Sequence, residues 1–188
     1  FDHRGGIFAA RLWWMLRAAG HAEVAVLDGG VDAWTGAGHA LEPGRVLEGY
    51  ADRPELPLVD TPWPGTIGAD EVAARLGELR LFDARAPERF SGEVEPLDRF
   101  AGHIPGARNL PCGANLVDGR FASAEALRER FATAFEGSEA ADRVAYCGSG
   151  VTACHNLLAL EIAGIPGATL YPGSWSDWIS DPSRPREP

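Results

Sequence analysis

The sequence predicts an α/β fold, a parallel sheet with helices on both faces, present as the C-terminal half of one domain followed by a complete second copy. Three observations predict it. Short β-prone runs alternate with longer helical runs along the chain, the pattern of parallel strands joined by covering helices. Two stretches of the chain match at a constant offset of 144 residues, as between Gly6 and Gly150. An apolar content of 45%, with 23 glycines and 14 prolines, supplies a core and many short loops.

The repeat organises the elements. Residues 7–19 and 151–163 are rich in Ala, Leu and other helix-compatible residues, and each run ends at a glycine suited to a helix C-cap, Gly20 and Gly164. Short β-prone runs follow at 24–27 and 168–171, then Gly29 with Trp34 in the first copy and Gly173 with Trp178 in the second. Within the second copy, 81–83 and 143–146 are strand candidates, while 69–79 and 123–135 have the spacing of amphipathic helices. Proline-rich residues 43–66 form a linker. The expected boundaries are therefore 1–42 for the end of a first domain and 67–188 for the complete second one. The chain begins at Phe1, without Met and inside an apparent folded element. That suggests residues upstream of it.

A net charge of −10 argues against nucleic acid as a partner, because phosphate binding needs a basic face. It leaves room for a small anionic substrate held at a local positive site. No apolar run approaches the ~20 residues that span a bilayer, so no membrane partner is expected. Cys112, Cys147 and Cys154 are an odd, sparse set without a CxxC, which fits a reducing, cytoplasmic setting better than a disulfide framework. Neither metal-ligand spacing nor a phosphate-binding Gly-Lys motif occurs, so no cofactor and no metal are expected.

The chemistry concentrates at Cys147. It follows a strand candidate and precedes Gly148-Ser149-Gly150-Val151-Thr152-Ala153, which leads into a helix. Ligands of open α/β sheets bind at the carboxyl ends of strands. The two glycines let the loop curl, so that backbone N–H groups and the positive helix end converge on one point. A thiol there is expected to be a thiolate at neutral pH, and the same donors could stabilise a persulfide.

This string resembles the active-site loop of the rhodanese superfamily, in its 3-mercaptopyruvate sulfurtransferase form. Leu81-Phe82-Asp83-Ala84-Arg85 with Glu88-Arg89-Phe90, Gly102-His103-Ile104-Pro105-Gly106-Ala107, Leu27-Asp28-Gly29-Gly30 and Ser174-Trp175-Ser176-Asp177-Trp178 resemble its tandem-domain members. The resemblance implies a rhodanese-like sheet and a ping-pong sulfurtransferase. A small-molecule donor would pass sulfur to Cys147, and cyanide, a thiol or thioredoxin would remove it. It also implies that Gly148, Gly150, Val151 and Thr152 cradle the persulfide, that Ser149 relays protons, and that Arg89 grips the donor's oxygens. Arg85 is expected to hold the loop through a carboxylate. A second substrate arginine has no clean match, since Leu97-Asp98 displace Arg99 from the family spacing.

Thiosulfate-preferring members tend to carry two basic residues after the cysteine; Gly148 and Ser149 stand there instead, which favours 3-mercaptopyruvate. Thiosulfate as the main donor and a non-catalytic binding module are the alternatives. A cysteine phosphatase would need an arginine at the end of the loop, where Val151-Thr152-Ala153-Cys154 has none. In the repeat register His3 stands opposite Cys147, so the first copy lacks the nucleophile.

Overall fold

The structure, a computed structural model, describes residues 1–42 and 63–188. The proposed linker, apart from residues 63–66, lies outside the described residues. Residues 1–42 contribute two helices, α1 (Ile7–Ala18) and α2 (Gly30–Gly36). From Trp63 onward the order is α3 (Ala69–Ala74), β1 (Arg80–Asp83), α4 (Pro87–Phe90), β2 (Arg108–Asn109), β3 (Leu116–Val117), β4 (Arg120–Phe121), α5 (Ala124–Ala132), β5 (Arg143–Tyr146), α6 (Val151–Ile162), β6 (Thr169–Leu170) and α7 (Ser174–Trp178).

Four strands form a parallel sheet in the order β2-β1-β5-β6, with Leu81 opposite Val144 and Asp83 opposite Tyr146. Side chains alternate across it, so neighbouring residues enter different cores. Phe82, Ala145 and Leu170 join Leu127, Phe131 and Leu160 on the face covered by α5 and α6. Leu81, Val144, Tyr146 and Tyr171 join Val72, Trp175 and Trp178 on the face covered by α3 and α7. Helices therefore cover both faces, as the sequence predicts. Thr66 bridges Leu170 at the sheet edge, so residues 63–66 run against the domain that follows.

One predicted strand is absent. Residues 24–27 form no strand, because no extended segment among the described residues lies beside them to complete a ladder. Its repeat partner, 168–171, does become a strand, since β5 is its neighbour.

Helix α1 lies along α6, and the two exchange near-symmetric contacts. Arg11 Nη1 donates to the Gly150 carbonyl at 3.4 Å, while His155 Nε2 meets the Gly5 carbonyl at 2.9 Å. Residues 11 and 155 are themselves separated by the repeat offset.

Candidate active site

Strand β5 ends at Tyr146 in the middle of the sheet and delivers Cys147 at its carboxyl end. The backbone there is fixed from α7. Ser174 Oγ accepts from the Cys147 N–H at 3.1 Å, the Trp175 N–H donates to the Cys147 carbonyl at 2.9 Å, and the Ser176 N–H donates to the Gly148 carbonyl at 3.0 Å. The loop then turns into α6 through Gly150, whose φ of 74° is left-handed. A Cβ at Gly150 would lie 2.5 Å from the Pro172 carbonyl oxygen, so only glycine fits.

The N–H groups of Gly148 through Ala153 find no hydrogen-bond acceptor among the described residues. Unpaired donors are normal for a helix start. Here they belong to the loop that directly follows the residue at the end of a central strand.

A cavity of about 390 Å³ opens at this point, and its walls bring most of the predicted residues together. Arg89, Cys147, Gly148, Ser149, Val151 and Thr152 all line it. Gly150 is not on the wall; it is buried against Pro172 and sets the bend. The Ser149 side chain is exposed and makes no hydrogen bond among the described residues. Cys147 itself is only 2% exposed, at the floor of the cavity.

Arg89 is held by two carboxylates. Its Nη2 donates to Glu95 Oε1 at 2.7 Å and Asp98 Oδ2 at 3.1 Å, and its Nε donates to Glu95 Oε2 at 3.3 Å. Nη1 makes no hydrogen bond among the described residues and lies over Gly148. It is the edge of the guanidinium open to the cavity. Burial works to raise the Glu95 carboxyl, but the Arg89 hydrogen bond and the Leu97 and Asp98 amides outweigh it, so it stays below its ordinary value.

Arg85 spans Asp83, Glu95 and the Gly102 carbonyl while stacking on Trp175. It ties the 91–102 segment to the sheet through Asp83 and Glu95, whereas the sequence reading expects it to hold the active-site loop, to which it makes no hydrogen bond among the described residues. His103 stacks on Phe90 and bonds its carbonyl, an ordering role for the turn.

Sequence reasoning missed Leu97, Asp98 and Ser176, which also line the cavity. Ser176 Oγ donates to Asp98 Oδ1 at 2.6 Å. The available signal was negative: Leu97-Asp98 interrupts the spacing that a second arginine would need. Arg99 instead stacks on Phe100 and is not on the cavity wall.

The other two cysteines lie off the cavity wall. Burial pushes the Cys154 thiol up to about 11, against the pull of Arg11, and burial with the nearby Cys147 charge raises the Cys112 thiol. All three are free thiols. The first copy was expected to place His3 at the nucleophile position; the group its loop encloses is Asp2. His3 is exposed, 3.8 Å from Asp32. The Asp2 carboxylate accepts from the N–H groups of Arg4, Gly6, Phe8 and Ala9 at 2.8–2.9 Å. Gly30 abuts the Asp2 carbonyl as Ser174, its repeat partner, abuts Cys147. No group of three His, Cys, Asp or Glu side chains suited to a metal occurs among the described residues, and no described helix is long and apolar enough to cross a membrane.

A doubly covered parallel sheet whose central strand delivers a cysteine into a helix-capping loop defines a class of α/β domain with a single-cysteine pocket. Residues 68–181 match the Rhodanese-like domain family, and the chain belongs to it. It is 48% identical over 192 residues to the "Probable 3-mercaptopyruvate sulfurtransferase" of Pseudomonas aeruginosa, covering 98% of this chain and 65% of that protein. It is 34% identical to the thiosulfate sulfurtransferase of Gallus gallus, covering 95% of this chain and 61% of that one. Among solved structures, the 3-mercaptopyruvate sulfurtransferase from Leishmania major superposes with a TM-score of 0.74 at 33% identity, over 95% of this chain and 49% of that one. The chain thus spans less than two thirds of the length of these relatives.

Proposed function

We propose that this chain carries the catalytic domain of a sulfurtransferase, with Cys147 as the sulfur-carrying nucleophile and 3-mercaptopyruvate as the favoured donor. The observation that carries the reading is the placement of Cys147: at the end of a central strand, followed by a loop of unpaired amides, on the floor of a cavity that Arg89 also lines. Family membership and the relatives' names support it.

In the proposed reaction the Cys147 thiolate attacks the donor sulfur. An S–S bond forms, the donor's C–S bond breaks, and pyruvate leaves as its enolate. The donor thiol's proton passes to the enolate carbon, with the Ser149 hydroxyl as relay. Arg89 Nη1 holds the donor carboxylate, and the amides of Gly148 through Thr152 stabilise the outer, anionic sulfur. A thiol or cyanide then attacks that sulfur and regenerates the Cys147 thiolate. Thioredoxin would be one such thiol. We place the protein in the cytoplasm, where its three thiols stay reduced, and divide the chain into a non-catalytic segment at 1–42, a linker at 43–66 and the catalytic domain at 67–188.

Cys147→Ser tests the reading. Sulfur transfer from either donor should fall by at least about a thousandfold while thermal unfolding stays close to that of the wild type. Transfer at the wild-type rate would contradict it.

A further inference from the structure

We infer that Asp98 is a specificity-determining residue that sets the cavity against dianionic sulfur donors. The inference rests on the reading of Cys147 as the persulfide-forming nucleophile and extends it to the charge of the donor.

The charged wall of the cavity is formed by two residues, Arg89 and Asp98; the others are Leu97, Cys147, Gly148, Ser149, Val151, Thr152 and Ser176, none of which brings a cation. Arg89 cannot act there as an uncompensated positive charge. Glu95 takes two of its donors from behind, and Asp98 takes a third from the cavity side. One cation against two carboxylates leaves the cluster with a negative balance even before Cys147 ionises. Counting Arg85, which pairs with both Asp83 and Glu95, gives two cations against three carboxylates and leaves the same excess of one negative charge.

A donor entering this space meets one open N–H edge, Arg89 Nη1, and the Asp98 carboxylate beside it. A single carboxylate can use the edge and leave its uncharged end toward Cys147. A dianion such as thiosulfate must bring a second charge beside the Asp98 carboxylate, and Coulomb repulsion near a protein surface is stronger than in bulk water. Asp98 is also held on both sides: Ser176 Oγ and Arg89 Nη2 donate to its two oxygens, and the side chain is 11% exposed.

The test is the ratio of kcat/KM for thiosulfate to kcat/KM for 3-mercaptopyruvate, measured on the intact protein and on Asp98→Asn and Asp98→Ser. Asn keeps an oxygen for Arg89 or Ser176 while removing the charge. We expect the ratio to rise about tenfold or more in both variants. A general disturbance of Arg89 or of the loop would slow both donors together and leave the ratio unchanged, and a change below twofold would overturn the inference.

Ionic strength gives a second measure that needs no loss of structure. Thiosulfate kcat/KM should climb between about 0.02 and 0.2 M salt in the wild type, because screening relieves the repulsion, and climb less steeply in Asp98→Asn. Equal slopes would count against Asp98. Turnover of neither donor by the wild type would fell the sulfurtransferase reading itself, and Asp98's role with it. Turnover of both with an unmoved ratio would fell the inference alone.

Discussion

Residues 2–9 and 147–153 each lead through a left-handed glycine into a helix of 12 residues, but the first loop closes on a carboxylate and the second on a thiol. In the first, Asp2 takes four backbone N–H groups and satisfies them. In the second, the corresponding amides stay unpaired around Cys147. The shared frame is a helix N-terminus that favours negative charge. The difference lies in where that charge comes from. The first loop carries its own anion and is closed. The second leaves the position to a sulfur, which supports its assignment as the working copy.

The comparison can be broken most forcefully at the two glycines. Both glycines have a positive φ, but Gly150→Ala would also put a Cβ against the Pro172 carbonyl, whereas a Cβ at Gly6 would meet Phe121 at 3.5 Å and His155 at 3.9 Å, ordinary contacts. Gly150→Ala should lower stability by about 2–3 kcal/mol and sulfur transfer at least about tenfold. Gly6→Ala should cost about 1 kcal/mol and leave transfer near the wild-type rate. Denaturant unfolding and initial rates read both, and equal losses at the two glycines would contradict the distinction.

Asp2→Asn tests the closed loop next. Burial works to raise the Asp2 carboxyl, but the four amides outweigh it, and it stays below its ordinary value. Its stabilisation is therefore complete above about pH 4 and is lost as pH falls through the folded value. At pH 7 the variant should be less stable by about 1–2 kcal/mol, the four bonds being discounted for solvent screening. The gap from the wild type should narrow as the pH falls below about 4. A gap that persists unchanged in acid would mean the charge of Asp2 is not what the loop uses.

The smallest effect is expected where the two helices meet. Desolvation lowers the His155 pKa, with the Gly5 carbonyl working against it. The folded state thus holds this proton less readily than the unfolded chain. Its contribution to stability is full above about pH 6.5 and declines as pH falls below it. Thermal unfolding between pH 7.5 and 5.5 should fall more steeply for the wild type than for His155→Gln; parallel slopes would remove His155 from the account.

Much of the fold was legible because it rests on local signals. The glycines at 20 and 164, the helical runs before them and the repeat offset placed α1 and α6, and the alternation of short strands with helices indicated a doubly covered sheet. The strand expected at 24–27 failed because a β-prone run becomes a strand only beside a partner. At the site, Cys147, its loop and Arg89 could be read from one contiguous motif and one short string. The pairing of Arg89 with Glu95 and Asp98 could not, because it depends on how an irregular segment folds back over the cavity. Asp2 was missed for a related reason. The offset that aligns Gly6 with Gly150 sets His3 opposite Cys147, and only the fold shows which side chain the first loop encloses.

The central claim, that Cys147 carries sulfur, is tested most directly by peptide mass mapping. The intact protein would be incubated with 3-mercaptopyruvate or thiosulfate without an acceptor and digested without reductant. The account predicts that the Cys147 peptide gains the mass of one sulfur atom and that cyanide removes it. A gain on Cys112 or Cys154 instead, or none on Cys147 while transfer proceeds, would contradict it.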